Sequence, residues 1–537
     1  MTPAHQLSIG QLLATPLANA PDQEIIHADV MRYTYRTLRD RIGRLGAALT
    51  ALGVTQGDLV AVLDYDSHRY FECFFAVPML GAVLHTVNVR LSPEQILYTI
   101  NHAKDDLILC HRDFAPLLAG IAARITRQVK IVLLEDTPAP APESADFAGE
   151  YEALLARADA NHAFPHFDEN TTATLFYTTG TTGDPKGVTF SHRQIVLHTL
   201  GVIAAICPVP GIGGVHRADV YMPMTPLFHV HAWGFPYVAT LLGIRQIYPG
   251  RYEPAKLLGL IAKHGVTFSH CVPAILNMLL SAPESAATDL SRWKVIVGGA
   301  ALTPGLAQAA LKRGIDVHAG YGMSETCPIL TLADMVASQG SGDTVAIRVA
   351  TGKAAPLVEL SLRDEAMGEV PHDGGASGEI TARAPWLTEG YLHNPEGSVA
   401  LWRGGWLHTG DVGTIDDKGT VRIGDRLKDV IKSGGEWVSS LDLESIASRV
   451  PGVAEVAAIG LPDARWDERP CLVVALSNGL EAEAVTAAIR AAIAAAIASG
   501  RLPRWAAPER VEVVASLHKT SVGKLDKKRM RAEFSGG

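Results

Sequence analysis

The stretch Thr178-Thr-Gly-Thr-Thr-Gly-Asp-Pro-Lys-Gly187 concentrates more potential chemistry than any other in the chain. The hydroxyls of Thr178, Thr179, Thr181 and Thr182 and the ammonium of Lys186 are donors. Gly180, Gly183 and Gly187 let the backbone approach a ligand and turn its N–H groups inward. Such a loop suits a polyphosphate. It is not a Walker A loop, which needs Gly-Lys-Ser/Thr opening a helix; here Lys186 precedes Gly187 and a strand-like run, Val188–Phe190. Taken alone, the loop also reads as a plain turn between that run and the strand-like Ala173–Tyr177.

Four more motifs follow in fixed order: Tyr321-Gly-Met-Ser-Glu-Thr326, Thr409-Gly-Asp411, Gly424-Asp-Arg-Leu-Lys-Asp429 with Lys432-Ser-Gly-Gly-Glu436, and Thr520-Ser-Val-Gly-Lys524. Glu325 offers a hard carboxylate for a cation shared with phosphates, or a helix cap. The carboxylate of Asp411 can accept both hydroxyls of a ribose. The five motifs together resemble the acyl-adenylate-forming (ANL) superfamily of acyl-CoA synthetases, adenylation domains and luciferases, over nearly the whole chain.

That resemblance assigns roles residue by residue. ATP, and then AMP, is expected on Thr178, Thr179, Gly180, Thr181, Thr182, Gly183, Lys186, Gly299, Ala300, Ala301, Gly320, Tyr321, Gly322, Met323, Ser324, Thr326, Asp411, Ile423, Arg426 and Lys432, with Tyr321 against adenine and Thr326 on the α-phosphate. Mg²⁺ is expected on Glu325 and Thr178. Lys524, Glu325 and His229 are the expected catalytic residues. Ser433, Gly434, Gly435 and Trp437 would line the pantetheine tunnel for CoA, and Lys428 would be the hinge. The family motif around Lys524 usually begins with Pro, where this chain has His518-Lys519 before Thr520. Lys524 is weighed against the ordinary fate of a charge run, a solvated tail, which is the expectation for Lys527 and Lys528.

The segment Met224-Thr-Pro-Leu-Phe-His-Val-His-Ala-Trp-Gly234 suits a pocket wall. His229 and His231 are equally readable as satisfied core or loop histidines. The resemblance puts His229 near the substrate carboxylate and makes Trp233 the aromatic that gates the acyl tunnel, with Gly299, Gly322, Met323 and Pro328 beside it. Gly298-Gly-Ala-Ala301 follows the strand-like Lys294–Val297, where glycine admits a flat ligand or simply tight packing. Trp505 reads as an aromatic near the pantetheine tunnel or, more commonly for its type, as a core aromatic.

These residues need a large scaffold. The chain has 537 residues, 47% hydrophobic and 19% charged, which fits an ordinary globular protein of several subdomains. A net charge of −9 argues against nonspecific nucleic-acid binding. Six scattered cysteines without a Cys-x-x-Cys pair fit a reducing cytoplasm and give no metal cage. No signal peptide or membrane span is expected; the alanine-rich Val485–Ser499 is too short to cross a bilayer. Leu38, Ile42, Leu45, Leu49 and Leu52 form one helical stripe, and strand-like runs at 58–63, 105–109 and 129–134 alternate with helical ones. The fold class expected is α/β: a large N-terminal domain (residues 1–425) with mostly parallel sheets and a β-barrel-like part, and a small mobile α+β domain (426–537).

The function expected is an ATP-dependent acid:CoA ligase working through acyl-AMP, with ATP and Mg²⁺, CoA as second substrate, and a small carboxylic acid. The region around Trp233 and the Lys432–Trp437 segment resemble fatty-acyl and 3-methylmercaptopropionyl-CoA ligases, which implies an uncharged short-to-medium acid, a role in fatty acid or dimethylsulfoniopropionate catabolism, and a homodimer. The alternatives are an adenylating enzyme that serves another acceptor, and a non-catalytic nucleotide-binding homologue.

Overall fold

The computed structural model describes residues 5–137, 139, 142, 146–178, 184–210, 214–340, 342–427, 429–433, 436–477, 481–500, 502–519 and 525–535, with the backbone alone for Glu436 and Trp437. The chain divides into two compact units: Met1–Glu359 with Arg383–Leu407, and Leu360–Ala382 with His408–Gly537.

The first unit is built on two sheets. The seven-stranded sheet runs Phe147–Glu150, Lys130–Leu134, Leu107–His111, Leu59–Leu63, Val83–Thr86, Thr172–Thr178 and Lys186–Ser191. Every neighbouring pair in it is parallel except the last, an antiparallel hairpin at one edge. The inner strands are continuous apolar runs such as Leu59-Val-Ala-Val-Leu63, as strands covered on both faces must be. The nine-stranded sheet is parallel through Arg245–Tyr248, Val220–Tyr221, Phe268–Cys271, Lys294–Val297 and Asp316–Gly322. Its ends are closed by antiparallel partners. The expected helical stripe is the helix Tyr35–Ala51, capped by the Thr34 side chain, with Leu38, Ile42, Leu45 and Leu49 buried.

In the second unit, Glu359–Arg363, Gly378–Arg383, Leu407–Ile415 and Val421–Arg426 form a four-stranded sheet, which is what stands where a barrel-like part was expected. A five-stranded sheet follows, centred on Val453–Asp463 and Asp467–Leu476. Period-2 alternation gives it two cores. Val456, Ala458, Leu472 and Val474 pack with Leu443, Val485, Ile489 and Ile493 of the helices Ser440–Ala447 and Ala482–Ala498. Ala457, Ile459, Cys471 and Val473 pack with Met530 of Lys527–Phe534. The architecture is therefore α/β with mostly parallel sheets, followed by a small α+β part. Among the described residues, no helix is long and apolar enough to cross a membrane.

The C-terminal charge run is not the solvated tail expected. Lys527 is only 8% exposed. Its Nζ donates to Ser440 Oγ (2.5 Å) and pairs with Glu444 Oε1 (2.7 Å). Helical spacing turns Lys527 and Met530 inward together while Lys528 stays exposed. Trp505 departs in the other direction. It lies on a single 3₁₀ turn and is 39% exposed, because the core beside it is filled by Leu502 and Ala506.

Candidate active site

The glycine- and threonine-rich loop joins the edge hairpin of the seven-stranded sheet. Thr178 and Lys186 are cross-strand partners at its loop end, each half-buried. Thr179, Gly180, Thr181, Thr182 and Gly183 lie outside the described residues. The hairpin thus holds the two flanking donors at one sheet edge, as a phosphate-binding loop requires.

The second motif leaves the strand Asp316–Gly322 and turns at once. A Cβ on Gly322 would lie 1.5 Å from the Pro328 carbonyl oxygen, so only glycine allows this turn. Tyr321, Met323 and Ser324 are half-exposed, and Glu325 is buried on a single 3₁₀ turn rather than at the head of a helix. Thr326, expected on the α-phosphate, is fully buried. Its Oγ1 accepts from Met323 N (3.0 Å) and lies within hydrogen-bond reach of the carbonyls of Met323 and Pro328, so its hydroxyl braces the turn.

A residue that sequence reasoning missed joins these two motifs. Tyr391 OH donates to Glu325 Oε1 (2.7 Å), and Lys186 Nζ stands 4.7 Å from the centroid of the same ring. Leu392 N donates to the Gly187 carbonyl (2.9 Å), and Thr388 N donates to the Glu325 carbonyl (3.0 Å). Burial and the adjacent Glu325 charge push the Tyr391 phenol far above its ordinary pKa. A lone tyrosine in Glu389-Gly-Tyr-Leu392 carries no local pattern. Its one signal is a Gly-Tyr pair in a loop between two motifs.

The segment expected to wall the acyl pocket has an unusual backbone. Val230, His231, Ala232 and Trp233 all have left-handed φ (49°, 55°, 48° and 58°), and Gly234 follows at 74°. Non-glycine residues rarely run in this region. The turn is held from several sides. Leu227 N donates to Asp66 Oδ1 (2.9 Å), and Thr86 Oγ1 donates to the Phe228 carbonyl (3.1 Å). Trp233 is 4% exposed, with its ring beside that of His270 (5.1 Å between centroids) and against Gly298. A Cβ on Gly298 would lie 3.1 Å from Trp233 Cη2 and 2.8 Å from the Gly320 carbonyl. Gly299, Ala300 and Ala301 beyond it are exposed, and Pro328 is buried. His229 is half-buried, whereas His231 is fully buried among Phe74, Phe176, Phe190 and Tyr237. Burial lowers His231, His198 and His270 to about 3, so these three imidazoles are neutral.

In the second unit, Asp411 and Arg426 are cross-strand partners in the hairpin of Leu407–Ile415 with Val421–Arg426, joined by an ion pair of 2.7 Å. Asp411 is buried and Ile423 half-buried, so the carboxylate has a fixed direction. Lys432 is exposed; Ser433 is buried and its Oγ accepts from Arg469 (3.2 Å). Ser433 borders a cleft of about 580 Å³ that carries Arg465, Trp466, Arg469, Arg504 and Trp505 together with the carboxylates of Asp463 and Glu509. Lys428, Gly434, Gly435, Lys524 and the Trp437 side chain lie outside the described residues. The residues flanking the Lys524 segment are paired with each other: Lys519 and Leu525 form an isolated antiparallel bridge, and Asp526 N donates to the His518 carbonyl (2.9 Å).

Among the described residues, no group of three or more His, Cys, Asp or Glu can hold a metal. A single carboxylate at Glu325, with the Thr178 hydroxyl, suits Mg²⁺ that shares its coordination with phosphate oxygens and water.

Comparison with known proteins gives concordant results. The profile described as "AMP-binding enzyme" matches residues 13–392, and that described as "AMP-binding enzyme C-terminal domain" matches 442–524. The chain is 38% identical over 512 residues to a long-chain-fatty-acid–CoA ligase of Thermus thermophilus, covering 94% of this chain and 91% of that protein. It is 36% identical over 509 residues to a 3-methylmercaptopropionyl-CoA ligase of Ruegeria pomeroyi, covering 93% and 91%. The crystal structure of ATP-bound MatB from Rhodopseudomonas palustris superposes with a TM-score of 0.83 at 26% identity, covering 99% of each chain.

Proposed function

We propose a division of labour from one premise: this chain belongs to the AMP-binding enzyme family and is an AMP-forming acyl-CoA synthetase, an acid–thiol ligase that uses ATP and CoA. The substrate is a carboxylic acid with an uncharged tail, either 3-methylmercaptopropionate or a short- to medium-chain fatty acid. One observation carries this reading: the Trp233 ring lies on Gly298 and beside the His270 imidazole, which burial keeps neutral, next to the strand that leads to Glu325. A second substrate charge has no partner in such surroundings. Relatives named for long-chain fatty acids and for 3-methylmercaptopropionate support the uncharged tail.

A carboxylate is a poor electrophile toward a thiol. The first half-reaction corrects this: the carboxylate oxygen attacks the α-phosphorus of ATP, pyrophosphate leaves, and an acyl-AMP anhydride remains. Positioning and charge neutralisation dominate such a step. Lys186 and the threonine hydroxyls bind the polyphosphate, His229 stands near the substrate carboxylate, and Asp411 with Arg426 receives the ribose. Glu325 and Thr178 would hold Mg²⁺, which when bound supplies further neutralisation of phosphate charge. Lys524 reaches the forming acyl-phosphate oxygens. In the second half-reaction the CoA thiol attacks the acyl carbon and AMP leaves with the bonding pair. The small domain, 426–537, rotates about Lys428 between the two steps, a boundary set by backbone rotation rather than by compactness. The cleft beside Ser433 offers arginines to the phosphates of CoA and indoles to its adenine. A homodimer working in the cytoplasm completes the proposal on family resemblance.

The test is a panel of acids scored for CoA-dependent AMP formation, with straight chains, 3-methylmercaptopropionate, aryl acids and dicarboxylates. The highest kcat/KM is expected for an uncharged short or medium chain. A dicarboxylate preferred over its monoacid overturns the substrate class. AMP release that is independent of CoA points to another acceptor.

A further inference from the structure

Tyr391 lies outside the five motifs read from the sequence. Its hydroxyl donates to one oxygen of Glu325 at 2.7 Å, and its ring lies under the Lys186 ammonium at 4.7 Å. Its backbone is tied in place on both sides. Val188 and Tyr391 form an antiparallel bridge, so the segment lies alongside the exit strand of the phosphate hairpin. Tyr391 N donates to Ser398 Oγ (2.9 Å), and Thr388 Oγ1 donates to the Thr189 carbonyl (3.0 Å). The side chain therefore stands on the phosphate hairpin and reaches the carboxylate of a different motif.

The charges on either side explain why an aromatic phenol is useful here. An ammonium and a carboxylate left adjacent in a partly buried place pair with each other, and each then loses its aim at a ligand. Lys186 and Glu325 form no ion pair with each other in this structure. Lys186 rests on the face of the ring, where the quadrupole attracts a cation. Glu325 accepts from the hydroxyl at the ring's edge. Among the described residues, Glu325 Oε2 has no hydrogen bond, so one oxygen is fixed and the other is left for a cation.

We propose that Tyr391 is a positioning residue of the adenylation step: it separates Lys186 from Glu325, aims the ammonium at the polyphosphate, and orients the carboxylate toward a divalent cation. The inference rests on the reading of Glu325 as the cation ligand. It divides Tyr391 into two separable parts. The hydroxyl serves the cation, and the ring serves Lys186 and the nucleotide.

Two substitutions separate them. Tyr391→Phe keeps the ring and removes the donor. Tyr391→Leu removes both and lets Lys186 collapse onto Glu325. Mn²⁺ serves as the probe, with its binding to full-length protein measured by electron paramagnetic resonance in saturating ATP, and ATP binding measured separately by calorimetry without a divalent cation. Losing an outer contact to a metal ligand weakens the metal by about tenfold or more. Tyr391→Phe is expected to weaken Mn²⁺ by about that factor and leave metal-free ATP binding within about twofold. Tyr391→Leu is expected to weaken both. Thioester formation from synthetic acyl-AMP and CoA should stay near the wild-type rate in both variants, with an unchanged Tm for Tyr391→Phe. A Tyr391→Phe protein that binds Mn²⁺ as the wild type does overturns the proposal, as does one that loses both half-reactions equally. If wild-type protein with ATP binds no Mn²⁺, the reading of Glu325 fails first, and that result is distinguishable from a failure confined to the variants.

Discussion

Replacing Lys527 with methionine should destabilise the second unit, and by an amount that depends on pH. The methionine keeps the stem and removes the charge. In the native structure Lys527 Nζ holds Glu444 Oε1 at 2.7 Å and Ser440 Oγ at 2.5 Å, and its charge also acts on Asp425. Glu444 accepts in addition from Ala458 N, and Asp425 from Ser440 N. Burial pushes both carboxyls above the ordinary range while Lys527 pulls them down. The variant leaves them buried without their cation, and breaking such a pair typically costs about 3–5 kcal/mol. For a unit of roughly 150 residues, about 2–4 °C per kcal/mol gives a loss of about 6–20 °C in Tm. An acid whose folded pKa lies above its unfolded value destabilises the fold at any pH above the unfolded value, and the penalty fades as pH falls through the folded pKa. The deficit should therefore be largest near pH 8 and shrink toward pH 5. Differential scanning calorimetry of full-length protein at both pH values measures it, with the exposed Lys528→Met as control. A deficit below about 2 °C, or one equal at the two pH values, refutes the argument.

Trp233→Ala should raise KM for the acid and shift preference toward longer chains, with much less effect on ATP; an unchanged acid profile refutes its place on the acyl wall. Lys524→Ala should lose about two to three orders of magnitude of acid-dependent ATP–pyrophosphate exchange. The same protein should still convert synthetic acyl-AMP and CoA to thioester at near the wild-type rate, and equal losses in both halves would contradict a role confined to adenylation. Trp466→Ala should raise KM for CoA about tenfold, a stacking effect, and leave pyrophosphate exchange alone. Lys428→Pro should spare exchange and block thioester formation, because proline fixes φ near −65°; full activity in both halves would place the pivot elsewhere.

The parts of this protein that were legible in its sequence are those written locally. Leu38, Ile42, Leu45 and Leu49 announce their helix through spacing alone, and Leu59–Leu63 announces a covered strand through an unbroken apolar run. The motif glycines are legible because steric demand at one residue leaves no substitute, as at Gly322. What was not legible depends on partners distant in the chain. Lys527 looks like its solvated neighbours until Glu444 and Ser440 arrive from another helix. Tyr391 gains meaning only when Glu325 and Lys186 stand on either side of it. Trp505 is apolar in type, but its exposure follows from a core already filled by smaller residues. Nor does Val-His-Ala-Trp suggest a left-handed turn, since no residue in it prefers that region.

That turn has a consequence for anyone who would change the acid specificity by mutation. Left-handed backbone at non-glycine positions costs about 1–3 kcal/mol each, so four in a row stay put only because Asp66, Thr86 and the aromatic packing of His231 and Trp233 hold them. On the proposed reading, residue 233 is therefore both a wall of the pocket and a fastener of the backbone that carries it. Substitutions there should be strongly epistatic with 231, 232 and 298, well beyond the additivity expected of separate sites. A smaller side chain at 233 that fails alone should recover when Ala232 is changed to glycine, and libraries that vary these four positions jointly should reach specificities closed to single steps.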